Sequence, residues 1–546
     1  MKIKNKIQTV ALAAILAMTG CNEEFLEMTP NSQMTVSNFF QSNAELQAAT
    51  APLYSKVWFD FNDKFYYALG DGRGNNLFAP YSDYIYPFTN FTETALTGPL
   101  VSAWQSLYNV VGQSNNTINN IKDYAVNVTE EQKNIAIAEA RFMRGTAYWY
   151  LASLWGDVIL LENNAAMVNN PVVPTNPRND VFEFAIRDLE FAALHLPATV
   201  GQAGRLTKWS AYGMLSRVYL SYAGLHDISD RNGGARNVQY LELARKAAEV
   251  VIEESGLELA ESYGDLFTLG NNNHPEILFG LQWVGGSTEY GITNTQQAYF
   301  AWDSEITGDD AAWGYYTFAS WDMIREYNPA DTLRLHATFA TYNAEYPELT
   351  KAAGGYLYET TDRCNVKKGV VGSTKDTDGV VQRMNSGLTT KMLRLAEVYL
   401  NYAEAALGNN ATITDEKALT YFNRVRERSL MPAKTALTYE DIRYERRIEL
   451  AMEGQYWYDL VRRSYYRQQE VLNYVNDTQD RAVQYEYNEA TESYEALEEN
   501  TAQQVATATA ATMLLPYPES ELVQNPLLRQ DPVPYVFNED RINLFE

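Results

Sequence analysis

One six-residue phrase occurs twice in this 546-residue chain: Val218–Ala223 reads VYLSYA and Val398–Ala403 reads VYLNYA. A looser echo, YWYLASL, occupies Tyr148–Leu154. In the surrounding stretch Met392–Leu407, Leu395, Tyr399, Tyr402 and Ala406 recur at steps of four, three and four. That spacing places them on one face of a helix, and Leu, Ala, Glu and Arg, all good helix formers, fill the rest. Small residues beside aromatics at helical spacing let a second helix approach closely. One such helix is an ordinary core element, but repeated wording argues for a scaffold of repeated helix pairs, of the tetratricopeptide-like kind.

The same periodicity predicts helices over 37–57, 101–124, 129–155, 179–196, 207–223, 238–254, 391–407, 414–429 and 439–463, with a shorter one near 320–327. Glu276–Trp283 is apolar and strand-like. Two stretches break the pattern, 59–97 and 284–381, both rich in aromatics, Asn, Asp and Gly. Insertions in a repeat scaffold gather on one face and often form the binding face. Residues 464–512 are polar and acidic and read as variable loops or weak helix. Residues 514–546 contain five prolines and read as an extended surface tail. The expected architecture is mainly α, with about four helix pairs. Its scaffold is predicted at about 101–283 and 389–463, as one domain over 21–546.

The first twenty residues carry Lys2, Lys4 and Lys6 before a short apolar run, Val10–Met18, ending at Met18-Thr19-Gly20-Cys21. This reads as a signal peptide rather than a span. Small residues before a cysteine mark a bacterial lipoprotein site, with acyl chains carried on Cys21. Cys364 is then the sole remaining cysteine, so no disulfide framework exists.

With 69 acids against 43 bases, the net charge of −26 argues against nucleic acid and anionic lipid as ligands. Tyr, at 39, outnumbers Gly, at 31, and this excess suggests a surface that binds by stacking. No catalytic or cofactor motif emerges. The four histidines form neither an i,i+4 pair nor a cluster with cysteine. Gly70-x-Gly72-x-Gly74 lacks the spacing of a nucleotide loop.

The ordered set of stretches Cys21, Ala138–Leu151 (AEARFMRGTAYWYL), Gly204–Leu220 (GRLTKWSAYGMLSRVYL), Leu393–Ala405 (LRLAEVYLNYAEA), Tyr444–Arg462 (YERRIELAMEGQYWYDLVR) and Leu515–Leu527 (LPYPESELVQNPL) resembles the SusD/RagB family of outer-membrane nutrient-binding lipoproteins of Bacteroidetes. The resemblance implies a SusD-like helical-repeat fold carrying an irregular ligand-binding half. It implies no enzymatic activity and no cofactor. It also implies oligosaccharide or polysaccharide as ligand, an outer-membrane location facing the cell exterior, and a TonB-dependent SusC-like transporter as partner. Glu23 and Glu24 resemble the family's surface-export signal. A peptide-binding, RagB-like role is the alternative, and a surface glycoside hydrolase a more distant one. By the same resemblance the ligand aromatics are expected at Trp313, Tyr290, Tyr299 and Trp302. A second contribution is expected from 70–84, with Phe78 or Tyr81 stacking and Asp71, Arg73, Asn75 and Asn76 binding hydroxyls at the rim.

Overall fold

The computed structural model describes residues 39–497 and 506–545. Cys21, Glu23, Glu24, the signal peptide and positions 37 and 38 of the first expected helix lie outside the described residues. The longer helices are α1 (Asn43–Thr50), α2 (Gly98–Tyr124), α3 (Glu130–Trp155), α4 (Arg178–His195), α5 (Lys208–Ala223), α6 (Val238–Glu254), α7 (Leu395–Leu407), α8 (Glu416–Arg428), α9 (Tyr439–Glu449) and α10 (Tyr456–Ser464). From α2 to α8 each helix packs on the next, and α7 also packs against α5 and α9. This is the stacked helical scaffold that the repeated phrases predict. Among the described residues no helix is long and apolar enough to cross a membrane.

Local chemistry sets the helix ends. Thr129 and Gln132 form a reciprocal capping box at the start of α3, and Thr438 with Asp441 forms another at α9. The first helix begins later than expected, capped by Ser42, and gives way to a 3-10 turn at Ala51–Tyr54. Pro52 has no N–H to continue the α ladder.

Two further differences have tertiary causes. Residues Thr390–Arg394, read as the first turn of α7, form a strand paired antiparallel with Ile277–Leu281, so the helix starts at Leu395. The single helix expected over 439–463 is two, because at 450–455 the Met452 and Gly454 amides donate to the Asp71 carboxylate at 2.8 and 2.7 Å.

Buried charge flanks the repeated phrase. On α7, Glu397 pairs with Arg217 of α5 at 2.5 Å, and Glu404 pairs with Arg236 at 2.9 Å and with Arg462 of α10 at 2.8 Å. Below them Arg394 binds Glu276, Glu449 and Glu453 at 2.6, 3.1 and 2.6 Å. Every one of these side chains is buried, so each charge depends on its partners.

The strands at Ile277–Leu281 and Thr390–Arg394 close the base of the second irregular stretch, which leaves and re-enters the scaffold there. The first irregular stretch, expected as loop with short strands, is largely wound: Phe61–Phe65 and Ala68–Arg73 are π-helical turns packed into the core. A two-residue antiparallel ladder, Leu77↔Ala319 and Phe78↔Phe318, stitches the two stretches together. The tail, expected as extended, is partly wound, with a short helix at Glu519–Gln524 and a 3-10 turn at Pro526–Arg529, and it crosses the helical side. Leu515 N–H donates to Leu154 O at 2.7 Å, Val533 N–H to Thr175 O at 2.8 Å, and Arg541 pairs with Glu190 at 2.8 Å.

Candidate functional site

The seam between the two irregular stretches gathers the exposed aromatic rings. Among the described residues the strongly exposed aromatics are Tyr81 (74%), Tyr290 (60%), Trp313 (47%), Tyr316 (46%), Tyr315 (45%) and Tyr124. All but Tyr124, at the end of α2, lie on these two stretches.

The rings form two groups. In the first, Trp313 lies 5.5 Å from the Tyr299 ring, which lies 5.4 Å from Tyr84. Tyr290 packs edge-on against Phe59 at 4.5 Å, and Phe59 packs against Trp283. In the second, Tyr315 meets Tyr316 at 4.8 Å and Tyr316 meets Tyr81 at 4.8 Å, both edge-on. Phe78, half-buried, stands behind them against Phe318 at 6.1 Å. Edge-on packing leaves part of each ring face free, as a stacking partner requires.

The backbone of the Trp313 turn is pressed onto the short helix Gln296–Phe300. Trp313 N–H donates to Ala298 O at 2.7 Å and Gly314 N–H to Ala301 O at 2.8 Å. A Cβ at Gly314 would lie 2.2 Å from Phe300 O, so only glycine permits this approach.

Polar groups sit at the Tyr290 end. Lys64 lies 5.5 Å over the Tyr299 ring and 5.8 Å over Tyr84, and pairs with Asp63 at 3.4 Å. Asp63 is buried and accepts from Thr295 Oγ1, while Asp60 is exposed beside it. Burial, reinforced by Asp63 and Asp60, pushes the Tyr290 phenol up to about 12. Burial likewise raises Tyr84 to about 12, and partial desolvation, with Asp63 adding to the effect, raises Asp60 from its ordinary value. At neutral pH both phenols are therefore hydroxyl donors. The group offers ring faces, phenolic hydroxyls and carboxylate oxygens side by side.

Of the residues expected from sequence, Trp313 and Tyr290 are exposed in the first group and Tyr81, with Phe78 behind it, in the second, whereas Tyr299 is buried behind Trp313 and offers no free face for stacking. The others are placed differently. Trp302 is buried, donating its indole N–H to Tyr356 Oη at 3.2 Å and packing against Tyr346, Tyr356 and Tyr358. Asp71, Arg73, Asn75 and Asn76 are all fully buried. Asp71 ties the break between α9 and α10. Arg73 pairs with Glu93 at 2.7 Å between the Phe91 and Trp457 rings. Asn75 donates to Gln479 O at 2.6 Å, and Asn76 accepts from Arg447 Nε at 2.9 Å. These four polar groups hold loop to scaffold and do not form a rim, because each is fully buried and bonded to a distant segment: Asp71 to the Met452 and Gly454 amides, Arg73 to Glu93 and Thr512 O, Asn75 to Gln479 O and Asn76 to Arg447.

The polar groups at the Tyr290 end, Asp60, Asp63 and Lys64, were not singled out from sequence. They lie in FDFNDKF, whose π-helical winding gives no regular period to read. Tyr315 and Tyr316 belonged to the aromatic run, but nothing in it separates exposed from packed rings. Among the described residues no group of three or more His, Cys, Asp or Glu side chains is placed to hold a metal ion.

Comparison with known proteins agrees with this architecture. A family profile described as "SusD family" matches residues 275–534, and one described as "Starch-binding associating with outer membrane" matches residues 24–220. A SusD-like protein of Bacteroides ovatus is 42% identical over 555 aligned residues, covering 98% of this chain and 99% of its own. A crystal structure determined with xylogluco-oligosaccharide is of a protein 42% identical; it superposes with a TM-score of 0.84 and covers 90% of this chain and 100% of that one. A SusD-like carbohydrate binding protein from Bacteroides fragilis shares the fold at 21% identity, with a TM-score of 0.69 over 90% of this chain and 100% of its own.

Proposed function

The chain belongs to the SusD family, and from that premise we propose that it binds oligosaccharide on the exposed aromatic face and passes it to a TonB-dependent, SusC-like transporter. In this reading the protein is held on the outer membrane through acyl chains at Cys21, faces the cell exterior, and holds its ligand without cleaving it. The observation that carries the reading is the concentration of exposed rings on one seam. Rings left in water at a surface otherwise poor in them gain by stacking on a flat C–H-bearing partner, and sugar rings offer such faces. The relative solved with xylogluco-oligosaccharide, at 42% identity, supports a neutral glucan-type oligosaccharide as the ligand class.

Each stack contributes on the order of 1 kcal/mol, by analogy with aromatic pairs. Several in line, with hydroxyls bonded to Asp60 and the phenols, place the affinity roughly between millimolar and micromolar. Calorimetry on the full chain in detergent micelles, titrated with a xylogluco-oligosaccharide, tests this. Trp313→Ala is expected to weaken binding about five- to tenfold while leaving the melting temperature unchanged, since the ring is half exposed. Binding of peptides in place of oligosaccharide would support the RagB-like alternative, and release of reducing sugar would show a hydrolase.

A further inference from the structure

Tyr315 and Tyr316 stand on a turn held more firmly than an exposed loop needs. Asn365, fully buried, directs its side-chain amide at three carbonyls of that turn, those of Gly314 at 2.9 Å, Tyr315 at 3.0 Å and Thr317 at 3.1 Å. Its own amide oxygen accepts from the Tyr358 hydroxyl at 2.7 Å, which fixes the orientation of the group. Two residues earlier, the Arg363 guanidinium lies 4.4 Å from the centre of the Tyr315 ring and 4.9 Å from that of Tyr316, and donates to Tyr315 O at 3.3 Å. Asp362 takes Arg363 Nε at 2.7 Å and Nη2 at 2.5 Å, so the guanidinium plane is itself held. The arginine is almost wholly buried, whereas the two rings it underlies are nearly half exposed.

We propose that Arg363 and Asn365 are positioning residues for ligand binding: they fix Tyr315 and Tyr316 beforehand in the orientation that an oligosaccharide stacks on. The inference rests on the reading of the aromatic face as an oligosaccharide site. A free tyrosine samples several χ1 and χ2 states, and a ligand that stacks on it must first immobilise it. A cation beneath two rings, together with a backbone clamped at three carbonyls, supplies that order before the ligand arrives. The same segment, 363–365, also pairs with Phe318 and Ala319, but the two tyrosine rings that it orders are themselves nearly half exposed. The guanidinium and the amide thus act through the rings, and neither needs to touch the sugar.

The test is calorimetry with a xylogluco-oligosaccharide on the full chain in detergent. Arg363→Met keeps the apolar stem and removes the cation. It is expected to weaken binding about three- to tenfold, with the loss appearing in the binding entropy. Arg363→Lys, which keeps a cation under the rings, is expected to fall between the two, and serves if the methionine variant folds poorly. The decisive arm is the same replacement in a Tyr315→Ala/Tyr316→Ala background, where it should cost nothing further. Affinity unchanged by Arg363→Met, or lowered equally with and without the tyrosines, overturns the inference while leaving the glycan reading intact. Absence of oligosaccharide binding by the unaltered chain overturns both.

Discussion

At the scale of single residues, the chain uses polar side chains in its interior as ties between distant segments, and one of them is poorly matched. Lys391 is buried in the strand preceding α7, with its Nζ donating only to Thr389 O at 3.1 Å and lying 5.3 Å over the Phe267 ring. Burial lowers it to about 7; Glu453 opposes this, while Arg394 and Lys368 reinforce it. An unfolded lysine titrates near 10.4. Between about pH 7 and that value the unfolded chain binds more protons than the folded one, so stability rises with pH across this window. Below it both states are charged and the whole burial cost is present. Lys391→Met should therefore raise the melting temperature by several degrees at pH 7. The gain should shrink steadily toward pH 10, as scanning calorimetry over that range would show; an equal gain at every pH would contradict the argument. The same scale shows why Asp71, Arg73, Asn75 and Asn76 were misread. A polar residue among glycines looks alike in sequence whether its partner is a ligand or an amide of Gly454, 383 residues away.

At the scale of elements, the repeated phrases describe contact faces accurately. On α3, Gly145 lies where α4 crosses: an added Cβ would sit 2.9 Å from Ala185 O and 3.1 Å from Asp188 Cβ. Backbone on one side cannot give way, so Gly145→Ala should destabilise by about 1–3 kcal/mol despite the better helix propensity of alanine. Denaturant unfolding would measure it, and a stabilised variant would mean that the helices separate freely. Element boundaries followed sequence where caps set them, as at Thr129, Thr207 and Thr438. They departed from it where a partner from elsewhere intervened. Residues 390–394 have the apolar content of a helix start but are drawn into a ladder by Ile277–Leu281. The α9–α10 break exists because Asp71 captures the amides there.

At the scale of the whole molecule, the net charge of −26 and the local balance of the aromatic face act in the same direction. At the Tyr290 end Asp60 and Asp63 lie near Tyr290 and Asp83 near Tyr84, against one ammonium, Lys64, which pairs with Asp63, while Arg363 at the other end is already paired with Asp362. A glycan bearing carboxylates should be repelled. A xylogluco-oligosaccharide oxidised to uronic acid at C6 should bind several-fold more weakly than its neutral parent at low salt. The gap should narrow at about 1 M salt, where the screening length falls to about 3 Å. Equal affinity of the two at low salt would show that the face does not select against charge.

The sequence by itself determined the helical scaffold, the family and the two irregular, aromatic-rich segments, because these rest on short-range periodicity, on its absence, and on motifs that survive in linear order. It could not determine which aromatics reach solvent. Trp302 and Trp313 lie in the same aromatic run, yet one is enclosed by Tyr346, Tyr356 and Tyr358 and the other stands at the surface. That distinction was made only when the ladder Phe78↔Phe318 joined two stretches far apart in the chain and the 358–365 segment folded beneath the rings. Exposure is a property of what packs on a side chain from elsewhere, and no local pattern encodes it.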